Sequence, residues 1–187
     1  MLPRLYTTQF GPQLGPPARD KALLRCTWDE AGARPDGRLP AACGPALPER
    51  SLGLNGVAID PAGARLWVND LYESRLWVVA RGPRGNLTLE SFLALPGVVD
   101  NVEYDRASGD LTMGLIGPGT RPPPAAAGPA PAGGALVATR VGGAYAPPRV
   151  AVRQDAAAAW QVSTSLVHGN WTLLGSPWDA GPIVCAS

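Results

Sequence analysis

Two stretches of the chain repeat one another 45 residues apart (111 − 66), and this spacing constrains the fold more than any other feature of the sequence. Gly56-Val57-Ala58-Ile59-Asp60, five residues, then Leu66-Trp67-Val68 is echoed by Asn101-Val102-Glu103-Tyr104-Asp105, five residues, then Leu111-Thr112-Met113. A unit of ~40–50 residues is one four-stranded propeller blade. A weaker echo sets Thr172-Leu173-Leu174-Gly175 against Leu111-Thr112-Met113-Gly114 at an offset of 61 (172 − 111). The additional 16 residues (61 − 45) fall in the tract 118–134, PGTRPPPAAAGPAPAGG. That tract has no core-forming side chains and reads as a loop insertion within one domain spanning 1–187.

Between the echoes lie short apolar runs bounded by Gly, Pro, Asn or Asp: Val57–Ile59, Leu66–Val68, Leu76–Val79, Leu111–Met113, Leu136–Ala138 and Leu173–Leu174. No segment holds a helical period for three turns. With 23 Gly and 21 Pro in 187 residues, the chain is punctuated too often for a bundle. The pattern predicts many short strands, an all-β fold. Leu5-Tyr6-Thr7 resembles Leu66-Trp67-Val68, the second strand of the unit, so the chain is expected to enter in the middle of a blade. About three blades are then visible. Three cannot close a ring, and an unclosed ring leaves strand edges and apolar faces open. The expectation is the C-terminal part of an incomplete propeller, prone to self-association.

Charge narrows the function classes. Lys+Arg 16 against Asp+Glu 15 gives a net charge of +1, and the arginines are scattered. No basic footprint for nucleic acid is present. No apolar run approaches the ~18 residues of a membrane span. The opening MLPRLYTTQFG lacks the apolar stretch of a signal peptide.

Several motifs occur in an order that resembles a known family. They are Leu54-Asn55-Gly56-Val57-Ala58-Ile59-Asp60-Pro61 with Arg65-Leu66-Trp67-Val68, then Asn86-Leu87-Thr88, then Val98-Val99-Asp100-Asn101-Val102, then Ser108-Gly109-Asp110-Leu111. Ser163-Thr164, Leu174-Gly175 and Cys185 close the chain in the same order. The sequence is similar to the paraoxonase/arylesterase family from about Leu23 onward, and most closely over 52–115. The resemblance implies a six-bladed propeller with calcium in the central tunnel and hydrolysis of small lactones and aryl esters. It puts Asn55, Asp100 and Asn101 on calcium ligands, Asn86 on a glycosylation sequon, and Cys185 on the cysteine that bonds an N-terminal partner to lock the ring. Secretion follows from it as well. Calcium is a hard cation that takes six to eight oxygens, so amide and carboxylate oxygens suit it.

The departures matter equally. The acidic ligand from the family's first blade and its histidine base pair would lie before Met1. Where the family has an Asn-Asp pair, Gln9 and Phe10 stand; Gln9 offers an amide oxygen and Phe10 none. Loss of a general base removes on the order of 10²–10⁴ in rate, so a weak or inactive esterase is expected of this chain alone. The rival reading is a non-catalytic propeller module for binding or scaffolding.

The remaining polar residues read more plainly. Asp60 and Asp105 precede Pro61-Ala62-Gly63 and Ala107-Ser108-Gly109, which predicts side-chain-capped hairpin turns rather than catalytic acids. His168, the sole histidine, sits in the turn sequence Val167-His168-Gly169-Asn170 and reads as a surface residue. Trp67, Trp77, Trp160, Trp171 and Trp178 read as blade packing. Cys26 and Cys43 could pair, a question the sequence leaves open. Asn170-Trp171-Thr172 is a second sequon.

Overall fold

The computed structural model describes residues 4–8, 21–28, 41–116, 133–154, 162–176 and 182–186. Every regular element among them is a strand. The first sheet is β1 (Arg4–Thr8), β2 (Leu23–Trp28) and β3 (Ala41–Pro45). The second is β4 (Leu54–Ile59), β5 (Arg65–Asp70), β6 (Arg75–Arg81) and β7 (Leu87–Ala94). The third joins β8 (Val99–Tyr104), β9 (Leu111–Leu115) and β10 (Gly134–Ala138). A small hairpin of β11 (Arg140–Val141) and β12 (Ala144–Tyr145) then leads to its outer strand, β13 (Arg149–Arg153). The fourth is β14 (Thr164–His168), β15 (Trp171–Gly175) and β16 (Ile183–Ala186). Each sheet is an antiparallel meander in chain order, and among the described residues no helix is long and apolar enough to cross a membrane.

All six apolar runs named above are strands or parts of strands. The expected three blades are distributed as two four-stranded sheets flanked by two three-stranded ones. The first strand of each later sheet packs against its predecessor: β8 lies on β4 and β5, and β14 lies on β8, β9 and β10. Successive sheets fan about one side, which makes the fold an incomplete propeller. Most of the 118–134 tract lies outside the described residues, as do Gln9, Phe10, Trp160 and Trp178.

Strand alternation separates the cores. Leu66 and Val68 of β5 point toward the first sheet, where they bury with Leu23, Leu47, Leu54 and Trp77. Trp67, between them, faces the third sheet among Val99, Val102, Leu111 and Met113. A third cluster joins Ala135, Val162 and Leu174 between the third and fourth sheets. Burying a large side chain of this kind is worth about 1.5–3 kcal/mol, so the inter-sheet contacts dominate the stability.

The turns are built as expected. Asp60 Oδ1 accepts from the backbone N–H of Ala64 at 2.7 Å and of Arg65 at 3.1 Å. Asp105 accepts from the N–H of Ala107 and from the Ser108 hydroxyl, each at 2.8 Å. Cys26 and Cys43 stand directly opposite one another on β2 and β3 and form a disulfide. Cys185, which the resemblance makes half of a ring-closing bridge, is a free thiol here and accepts a hydrogen bond from Gln154 Nε2 at 2.8 Å.

Candidate functional site

The candidate residues come together because two strands share one irregularity. In β4 the register with β5 runs Leu54↔Asp70 and then Val57↔Val68, so Asn55 and Gly56 together oppose Asn69. In β8 it runs Val99↔Leu115 and then Val102↔Met113, so Asp100 and Asn101 together oppose Gly114. Two residues against one is a β-bulge, which bends the strand and re-aims its side chains. The two bulges are 45 residues apart (100 − 55), at the same place in consecutive units.

The bulges meet across the sheet interface. Asn55 Nδ2 donates to Asp100 Oδ1. Asn101 Nδ2 donates to Ser163 Oγ at 2.9 Å, and the Asn101 backbone N–H donates to the Ser163 carbonyl at 2.9 Å. The Ser163 side chain also bonds Asp100. Strands from the second, third and fourth sheets thus converge on one half-buried carboxylate. Burial pushes the Asp100 carboxyl above the ordinary aspartate range, and the hydrogen bonds from Ser163 and then Asn55 pull it partly back.

Behind this front lies Asn69, a residue that sequence reading passed over. It is fully buried. Its Nδ2 donates to the carbonyl of Val99 and, at 2.5 Å, to that of Asp100, while its Oδ1 has no partner. Ser163 was legible only as a strand neighbour. The one available signal for Asn69 is a polar pair, Asn69-Asp70, ending an otherwise apolar strand. Asp70 is equally buried but serves packing: it accepts from Ser51 Oγ at 2.6 Å, Trp77 Nε1 at 3.1 Å and Arg75 Nε at 3.2 Å.

Among the described residues no three His, Cys, Asp or Glu side chains form a metal cluster. The set Asn55, Asp100 and Asn101 instead offers amide and carboxylate oxygens with one formal charge. No cationic side chain among the described residues forms an ion pair with Asp100. Asn55 here turns its Nδ2 to Asp100; with that amide rotated, the set offers only oxygens beside a desolvated carboxylate and fits a hard divalent cation.

The other polar candidates lie elsewhere. Asp60 and Asp105 are in the hairpin turns at the opposite end of these strands. A cleft of about 240 Å³ opens there between the second and third sheets, lined by Arg65, Trp67, Tyr104, Arg140 and Tyr145 among others. Trp67 stacks on Tyr104 at 5.3 Å, and Tyr145 donates to the Gly109 carbonyl at 2.9 Å. Burial, with Tyr104 second, pushes the Tyr145 phenol up to about 12, which removes it from acid–base work near neutrality. His168 ends β14, and its side chain is outside the described residues. Asn86 is exposed immediately before β7, and Asn170 is exposed in the β14–β15 turn.

No family model matches the chain, and no curated protein matches it. Solved structures do. One, a structural-genomics target carrying a provisional gluconolactonase label, is 19% identical with a TM-score of 0.47; the match covers 88% of this chain and 45% of that one. Another is XC5397 from Xanthomonas campestris, described as a gluconolactonase of glucose secondary metabolism. It is 16% identical with a TM-score of 0.44, and the match covers 84% of this chain and 51% of that one. The chain therefore spans about half the length of these structures.

Proposed function

We propose that this chain is the C-terminal part of a calcium-dependent hydrolase of lactones and aryl esters, and that Asn55, Asp100 and Asn101 hold the ion. The observation that carries the reading is the pair of equivalent bulges that set Asn55 against Asp100 across one sheet interface and Asn101 against Ser163 across the next. When bound, calcium supplies a Lewis acid that polarises the scissile carbonyl and stabilises the developing oxyanion. The chain's own part is positional. Asp100 contributes the charge, Asn55 and Asn101 contribute neutral oxygens, and Ser163 holds Asp100 and Asn101 together.

One formal charge makes a weak site, with a Kd no tighter than about 10⁻⁴–10⁻³ M. Nothing described at the site can replace the family's histidine base, so hydrolysis of phenyl acetate or a γ-lactone is expected to fall about 10²–10⁴-fold short of a complete enzyme. Secretion belongs to the same reading, supported by the Cys26–Cys43 disulfide and by the exposed sequon at Asn86. Isothermal titration with calcium tests the assignment. A Kd in the stated range, weakened at least about tenfold by Asp100→Asn, is expected. No binding, or binding indifferent to Asp100→Asn, would remove calcium from these residues.

The rival, a non-catalytic module, shares with the leading reading an open apolar face: Leu166, Trp171 and Val184 on the fourth sheet are 46%, 54% and 55% exposed. Such a face is an assembly surface. Self-association on light scattering together with an absence of calcium binding would move the conclusion to that reading.

A further inference from the structure

Asn69 sits behind the bulge that carries Asp100 and Asn101, and the resemblance assigns it nothing. It is fully buried, on the face of β5 that meets the third sheet. Its amide spends both protons on main-chain acceptors of the neighbouring sheet, the carbonyls of Val99 and Asp100. These flank the peptide bond at which β8 leaves its register with β9. A bulge has free backbone groups because its ladder is broken there. Here two of its carbonyls are satisfied by a side chain from the preceding sheet.

The consequence is geometric. Fixing the carbonyls of Val99 and Asp100 toward β5 fixes the two peptide planes on either side of the Asp100 Cα, and with them the direction in which the Asp100 side chain leaves the strand. Asn55, from the strand paired with β5, then meets Asp100 on the same front. Asn69 Oδ1 is buried and has no hydrogen-bond partner among the described residues, so the two donor bonds are what fixes the amide.

We propose that Asn69 is a positioning residue for the cation site, holding the bulge so that Asp100 faces Asn55 and Asn101 stays beside it. The inference rests on the calcium reading and deepens it. Partners of metal ligands that act without touching the metal are worth about 10–100-fold in affinity when removed. Asn69→Ala removes both donors. Asn69→Ser keeps one hydroxyl donor, and Asn69→Asp keeps the shape while replacing donors by acceptors and adding a charge.

The test is calcium titration of the full chain by calorimetry, with terbium luminescence as a second probe and thermal unfolding recorded without metal. The expected order of affinity is wild type, then Asn69→Ser, then Asn69→Ala and Asn69→Asp, the last two weaker by about 10–100-fold. Calcium is expected to raise the unfolding temperature of wild type more than that of Asn69→Ser. That comparison still reads the effect if Asn69→Ala fails to fold. Equal affinity in wild type and Asn69→Ser or Asn69→Ala overturns the positioning role. Tighter binding by Asn69→Asp also overturns it, because it would make residue 69 a ligand. A wild type that binds neither metal ion points instead to failure of the calcium reading itself.

Discussion

The second and third sheets are built to one plan, and at two equivalent positions glycine and asparagine trade places. The second sheet carries Gly56 in its bulge and Asn69 opposite; the third carries Asn101 in its bulge and Gly114 opposite. A Cβ on Gly56 would lie 2.7 Å from both Asn101 Cα and Val102 N. On Gly114 it would lie 2.5 Å from the Ser163 carbonyl carbon and oxygen. Each interface therefore needs one glycine, to admit the backbone of the next sheet, and one asparagine, to bond it. Between the second and third sheets the asparagine comes from the paired strand, as Asn69. Between the third and fourth it comes from the bulge, as Asn101 bonded to Ser163. That choice leaves Asp100 against Asn55 and Asn101 against Ser163. The inversion thus places different polar side chains at equivalent points of a repeated scaffold.

The largest expected effect tests the glycine half of this inversion. Gly56→Ala and Gly114→Ala each press a methyl group into main chain rather than into a movable side chain. Overpacking costs about 1–3 kcal/mol, occasionally more, and both variants belong at the upper end. Asn101→Gly removes only the bond to Ser163 and adds chain entropy, and is expected to cost about 1–2 kcal/mol. Denaturant unfolding of the three variants checks the order. An Asn101→Gly variant less stable than Gly56→Ala would break the comparison.

A smaller difference separates the two faces of the second sheet. Trp77, toward the first sheet, is fully buried and donates to Asp70; Trp67, toward the third, is 2% exposed, and its indole N–H has no partner. Phenylalanine at 77 opens a gap and takes a donor from a buried carboxylate, an expected loss of about 2–3 kcal/mol. At 67 the same change removes an unsatisfied donor and keeps a ring against Tyr104, for an expected loss of about 1 kcal/mol. Equal losses would show that the N–H to Asp70 bond contributes nothing.

These contrasts also mark what the sequence could disclose. The 45-residue echo and the alternating apolar runs specify the strands of the second and third sheets, because period and burial are local properties. Asn55, Asp100 and Asn101 are legible through the order of motifs around them. The bulges are not, since which residue opposes which depends on register, and register is fixed by partners far along the chain. Asn69 is hidden for the same reason: as the penultimate residue of an apolar strand it reads like the approach to a turn. In the first sheet Leu5-Tyr6-Thr7 is legible as β1, whereas β3 escaped because Ala-Ala-Cys-Gly-Pro shows no alternation, and the Cys26–Cys43 pairing emerges only once β2 and β3 lie side by side.

The smallest expected effect concerns the charge that separates the two bulges, Asp100 in one and neutral Asn55 in the other. Burial raises the folded-state pKa of Asp100 above its unfolded value. For such a group the stabilising contribution is complete below the unfolded pKa and is lost as pH rises through the folded one. In metal-free protein near neutrality the ionised Asp100 is therefore a liability, and Asp100→Asn, which cannot ionise, is expected to be slightly the more stable. The advantage should shrink as pH falls through the raised pKa and disappear in acid, where Asp100 is protonated. Calcium should reverse the sign at pH 7, because an ion that binds only the folded state at ten times its Kd adds about 1.4 kcal/mol, and only the wild type retains the charged ligand. Unfolding of the two proteins from pH 3 to pH 8, with and without calcium, measures all of this. A wild type at least as stable as Asp100→Asn in metal-free buffer at pH 7 would mean that Ser163 and Asn55 already compensate the carboxylate, and that the bulge needs no cation.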